Sequence, residues 1–109
     1  MGEGIDQKGS LVTPTKLRFD FSQKSPISAL QISNIESICN DWIKKNVKVY
    51  SKEVSLKLAQ QIPGLRAVFG EAYPDPVRVV TLEWSVDEMI ADITNEKWRG
   101  TSVEFCGGT

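Results

Sequence analysis

The chain has 109 residues, 40% hydrophobic and 25% charged, which suits one globular domain at the small end of the usual range. Its 13 Lys and Arg against 14 Asp and Glu leave a net charge of -1, which excludes nucleic-acid binding by bulk positive charge; an RNA contact would need a local basic patch. It has no histidine, which excludes a Cys-His nucleophile pair within the chain and the commonest acid-base group at neutral pH.

In chain order, SLV is read as the first strand of a hairpin, TPT as its turn, and KLRFDFS as its partner. In KLRFDFS, Leu17, Phe19 and Phe21 alternate with Arg18, Asp20 and Ser22, the period of a half-covered strand. SPISALQISNIESICNDWIKKN predicts the main helix. Ser28 and Gln31 have the spacing of a capping box, and Ile27 and Ile32 that of a hydrophobic staple. Ile32, Ile35, Ile38, Cys39, Trp42 and Ile43 fall on one helical face, and Lys44 and Lys45 occupy the last turn, where the helix dipole favours cations.

VKVYSKEV predicts a strand, and SLKLAQQIPG a short helix capped by Ser55 and ended by Pro63 and Gly64. EAYPDPVRVVTLEW places a double-proline turn before a strand over Val77 to Leu82. Ser85 and Glu88 predict a second capping box, opening a short helix through Met89 and Ile90. TNEKWRG is read as a polar loop, and SVEF as the closing strand with Val103 and Phe105 on one face. The expected fold is α+β: a mixed or antiparallel sheet with one long and two short helices packed on it, as a single domain over residues 1–109.

No apolar run approaches the ~20 residues of a membrane helix. The N-terminus lacks the basic and apolar regions of a signal peptide, and Asp6 stands where a myristoylation signal needs Ser or Thr. Cys39 and Cys106 are too few and too far apart for a disulfide framework. A cytoplasmic location is the expectation, with no membrane and no DNA partner.

The residues alone leave the chemistry open. Cys106 closes a strand and is followed by Gly107 and Gly108, a way to aim a thiolate or equally an ordinary strand end. Zinc sites usually have four ligands, and Cys106 alone is one. Cys39 reads as a small apolar residue of the helix. Gln7 is either a group that orients water or a surface residue beside a turn, and Arg18 and Asp20 read as a solvated face. The three tryptophans read as packing anchors; Trp98, between Lys97 and Arg99, has a weak case as an RNA-stacking residue.

Four stretches in order, DQKGSLVTPTKLRFDFS, IPGLRAVFGEAYPDPVRVV, SVEF and CGGT, resemble the editing region of alanyl-tRNA synthetases, and the resemblance covers nearly the whole chain. It implies hydrolysis of the ester of tRNA(Ala) wrongly charged with serine or glycine. It also implies a zinc site built from an upstream HxxxH pair and a downstream CxxxH pair. Cys106 matches the first residue of CxxxH, and the chain stops one residue before the expected histidine. The HxxxH pair would lie upstream of Met1.

By the same resemblance Gln7, the glutamine of QKGS, would line the pocket and hold water or substrate. Glu104, Gly107 and Gly108 would shape the pocket beside the metal. The parent enzyme would attach alanine to tRNA(Ala) with ATP and Mg2+ in a separate domain. The chain by itself is expected to fold without deacylase activity or bound zinc, with mobile ends at Met1 to Asp6 and Gly107 to Thr109. The alternatives are a free-standing trans-editing deacylase, the related editing domain of threonyl-tRNA synthetase, and a non-catalytic module that binds tRNA or protein.

Overall fold

The computed structural model describes residues 5–67 and 72–106. The described chain runs β1 (Gln7–Val12), β2 (Leu17–Phe21), α1 (Ala29–Lys45), β3 (Val49–Val54), α2 (Leu56–Ala59), β4 (Val77–Leu82), α3 (Val86–Ala91), a 3-10 helix (Glu96–Gly100) and β5 (Val103–Phe105). The fold is α+β, with one long helix and two short ones. The strands form two antiparallel sheets, β1-β2 and β3-β4-β5. The chain divides into two compact units, Met1–Val47 and Lys48–Thr109.

The first unit is a hairpin followed by α1. β1 begins earlier than the SLV reading and takes in Gln7 to Gly9. Val12 pairs with Leu17, Ser10 with Phe19 and Gln7 with Phe21, with a register shift between Gln7 and Gly9. The turn is closed by Thr13, whose N–H donates to Lys16 O at 2.9 Å and whose Oγ1 accepts from Lys16 N at 3.1 Å. Asp6 is not the loose edge expected for it. Its N–H donates to Ser22 Oγ at 3.0 Å and its carbonyl accepts from Ser22 N at 2.9 Å, which extends the ladder past Gln7.

Two sequence motifs meet in this hairpin. Arg18 grips Asp20 with two bonds, Nε to Oδ1 at 2.9 Å and Nη2 to Oδ2 at 3.0 Å. A Cβ built on Gly9 would stand 3.1 Å from Asp20 Oδ2. The glycine of QKGS therefore leaves room for the carboxylate of RFDF, on a face that is otherwise solvated.

Helix α1 starts where its capping residues say. Ser28 Oγ accepts from Gln31 N at 3.1 Å, and Gln31 Oε1 accepts from Ser28 N at 3.0 Å, so two donors that the first turn leaves unpaired are satisfied. It ends at Asn46, which turns left-handed at φ 51° with Lys44 and Lys45 in the last turn. No residue of α1 is buried.

The second unit contains the core. Val77, Val79 and Thr81 of β4 and Val103 and Phe105 of β5 point to the same side of the sheet, since neighbouring side chains alternate. Ala59, Ile62, Val86, Met89 and Trp98 cover them. Lys52 of β3 forms an ion pair with Asp87 of α3 on this side. The Thr81 hydroxyl, fully buried, donates to Trp84 O at 2.6 Å.

Short-range caps shape the connections. Ser55 Oγ accepts from Leu58 N to open α2, and the Asp75 carboxylate of the YPDP turn accepts from Leu56 N at 3.0 Å. Ser85 Oγ accepts from Glu88 N at 3.1 Å, one of the two bonds of the expected box. Gly64 adopts φ +82°, and a Cβ there would stand 3.0 Å from Arg99 Cα, so the turn needs glycine both for its angle and for its space.

TNEKWRG is not a plain loop. Asn95 Oδ1 accepts from Lys97 N and caps a 3-10 helix that carries Trp98 into the core. Trp98 is 2% exposed, its indole N–H donates to Asp92 O at 2.8 Å, and its ring meets Trp84 edge-on. A base stacks on an exposed face of an aromatic ring, so burial of Trp98 removes the RNA-stacking reading. Lys97 Nζ instead lies 4.5 Å from the Trp84 centroid and 4.8 Å from that of Trp98.

Candidate functional site

Cys106 lies one residue past β5 and is half-buried. Its N–H donates to Arg78 O at 3.0 Å, so the β4–β5 ladder holds the backbone that carries the thiol. The alternation that sends Val103 and Phe105 into the core puts Glu104 on the opposite face, and Cys106 follows Glu104 at the same period.

Arg66 comes to this edge from a loop. Its N–H donates to Val103 O at 2.8 Å and its carbonyl accepts from Phe105 N at 2.9 Å, which makes a parallel bridge to Glu104. Burial pushes the Glu104 carboxyl above its ordinary value, and the Arg66 guanidinium pulls it back part of the way. Tyr73 packs edge-on against Phe105 with ring centroids 4.9 Å apart, bracing β5 from the core side.

The residues expected at the site fall as follows. Glu104 and Cys106 are brought to one end of one strand. Gln7 is the first residue of β1, half-buried and opposite Phe21, and belongs to the other compact unit. Gly107 and Gly108 lie outside the described residues, as do the ends at Met1–Gly4 and Thr109. Sequence reasoning missed Arg66. It stands 38 positions before Glu104, and no periodicity links a loop residue to a strand formed that much later.

Among the described residues no three His, Cys, Asp or Glu side chains gather as a metal site, and the chain has no histidine. The donors present do not make a zinc shell. A zinc ion held here would have to share the Cys106 thiolate with ligands from outside the described residues.

The chain is 62% identical over its whole length to an alanine–tRNA ligase of Candida albicans. It is 54% identical to the mitochondrial alanine–tRNA ligase of Saccharomyces cerevisiae and 50% to the cytoplasmic one of Dictyostelium discoideum, again over all 109 residues. The chain belongs to the alanine–tRNA ligase family. It spans 11% of the length of the Candida and Saccharomyces ligases and 12% of the Dictyostelium ligase. No family profile and no solved structure matches it. Both cytoplasmic and mitochondrial ligases are among the relatives, and no described helix is long and apolar enough to cross a membrane.

Proposed function

We propose that this chain is part of the proofreading region of a cytoplasmic alanine–tRNA ligase, a region that hydrolyses tRNA(Ala) wrongly esterified with serine or glycine. The observation that carries the reading is the placement of Cys106. It stands at the end of a strand pinned by β4, with Glu104 two residues before it and the motif CGGT running through it. Membership of the ligase family and the order of the QKGS, RFDF and YPDP motifs support the same reading.

In this reading Gln7 holds the attacking water or the substrate, and Glu104, Gly107 and Gly108 shape the pocket. Cys106 supplies one ligand to a Zn2+ ion whose other ligands come from outside these residues. Bound there, the ion would polarise water or the ester carbonyl. A second, hydrolytic site answers a specific problem. A pocket for alanine cannot reject glycine by size, and it rejects serine poorly, because one added hydroxyl changes binding little. A site that hydrogen-bonds the serine hydroxyl discriminates better, because alanine would leave its buried polar groups unpaired. The whole ligase joins alanine to tRNA(Ala) with ATP and Mg2+ in a separate region, and the 109-residue chain alone is inactive.

The test uses the whole ligase. Cys106→Ala is expected to abolish release of serine from Ser-tRNA(Ala), lower bound zinc, and leave alanine attachment intact. Retained serine release with unchanged zinc would sink the reading. If tRNA still binds with a steep salt dependence while neither variant nor parent hydrolyses Ser-tRNA(Ala), the region is a binding module instead.

A further inference from the structure

The register of β4 and β5 places Arg78 beside Cys106. Val79 pairs with Phe105 and Val80 with Glu104, so the next rung sets Arg78 opposite Cys106. The bond from Cys106 N to Arg78 O at 3.0 Å closes that rung. Residues directly opposite in an antiparallel ladder share a face, here with Cα atoms about 5.5 Å apart. Val77 and Val79 are buried in the core, so Arg78, Val80, Glu104 and Cys106 lie on the other side of the sheet. All of them belong to one compact unit.

Arg78 makes no ion pair among the described residues. Glu53 stands opposite it on β3, yet the two do not pair. Arg66, on the far side of β5, is by contrast engaged, since its charge acts on Glu104. A guanidinium presents a planar fork of donors that fits two oxygens of a phosphate. The proposed substrate restricts which anion Arg78 can meet. Its seryl or glycyl group carries a cationic amine and a neutral ester, and neither draws a guanidinium. The phosphodiesters of the tRNA do. The one nearest the ester lies on the 5′ side of the terminal adenosine, one ribose away. The chain's net charge of -1 supplies no bulk attraction for that end, so a local cation has to meet it. We propose that Arg78 is a substrate-positioning residue, whose guanidinium holds the last phosphodiester of the mischarged tRNA and so sets the ester beside Cys106. The inference deepens the proofreading reading and rests on it.

The test is a double-substitution cycle on the whole ligase. Ser-tRNA(Ala) is assembled by ligation with its last phosphodiester either natural or replaced by an uncharged methylphosphonate. With the native ligase the methylphosphonate should lower kcat/KM for serine release about 10- to 100-fold, the range for a hydrogen bond to a charged group. Arg78→Gln should lose the same factor on the natural tRNA, with alanine attachment and bound zinc unchanged. The two changes together should lose no more than either alone, because each removes the same contact. Losses that multiply, a variant as active as the native ligase, or a native ligase indifferent to the methylphosphonate would overturn the proposal and leave the proofreading reading in place. A native ligase that releases no serine from natural Ser-tRNA(Ala) would overturn both. Should Arg78→Gln lose zinc or fail to fold, Arg78→Lys, which keeps the charge, runs the same cycle. It should lose less than about 10-fold on the natural tRNA and nothing further on the methylphosphonate. Losses that multiply there overturn the proposal in the same way.

Discussion

The hairpin-and-helix unit and the three-stranded unit carry the same kinds of pattern in sequence, yet among the described residues every buried one lies in the second. Alternation in LRFDF is strict, and in VRVVTL it is weaker, since Val80 and Leu82 put apolar residues on the second face. In β4 it resolves into buried Val77, Val79 and Thr81; in β2 Leu17 and Phe19 stay exposed. Periodicity reports which face of an element is apolar. Whether that face is covered depends on polypeptide elsewhere, which periodicity within one element does not report.

Core truncation breaks this comparison most directly. Trp98→Ala removes a fully packed indole and its bond to Asp92 O, and should cost about 3–5 kcal/mol in denaturant unfolding of the chain. Ile38→Ala, on the exposed face of α1, should stay within about 0.5 kcal/mol in the same experiment. If Ile38→Ala costs as much as Trp98→Ala, the two units do not differ as described.

The two crowded glycines give a second contrast of the same sort. Gly64→Ala forces a side chain onto φ +82° and against backbone, and should destabilise by about 1–3 kcal/mol in thermal unfolding. Gly9→Ala meets only the end of the Asp20 side chain, which can turn aside, so its cost should stay below about 1 kcal/mol. An equal loss at both would show that the Arg18–Asp20 pair is held more firmly than two exposed side chains should be.

The cap of α1 tests the local half of the argument. Ser28→Ala deletes an acceptor for Gln31 N and should cost about 1 kcal/mol of helix stability. Because no residue of α1 is fully buried, the loss should appear as faster amide exchange along Ala29–Lys45, with exchange in β4 unchanged. Slower exchange in α1, or an equal effect in β4, would contradict it.

Legibility in the sequence followed the range of the interactions. Ser28 with Gln31 and Ser55 with Leu58 act within a few residues, so capping patterns placed the starts of α1 and α2; α2 ends at Ala59, short of the Pro63 and Gly64 expected to stop it. The expected order of strands and helices also held. TNEKWRG looked like loop because its composition is polar; the one residue that matters, Trp98, is carried inward by a cap at Asn95 that a polar reading passes over. The division into two sheets was not legible, since pairing across α1 or across the YPDP turn leaves no local mark. At the candidate site, Glu104 and Cys106 could be placed by alternation, whereas Arg66 reaches Glu104 through pairing between distant segments.

Acidification probes that distant pairing with the smallest effect of the set. The Glu104 carboxyl is raised above its ordinary value chiefly by burial, while Arg66 acts in the opposite sense. A carboxyl whose pKa is higher folded than unfolded binds its proton more tightly in the folded chain. Its contribution to stability is therefore present at pH below the unfolded value and is lost as pH rises through the folded value. Relative to Glu104→Gln, which carries no titrating proton, the native chain should gain stability as the pH is lowered through this range. Arg66→Met removes the opposing charge, so the gain should grow and begin at a higher pH. Urea unfolding of the three chains between pH 4 and 7 measures both shifts, about the unperturbed Glu range. A native chain that instead loses stability against Glu104→Gln on acidification would mean that Arg66 outweighs burial, and that the bridge to β5 is tighter than the backbone bonds alone make it.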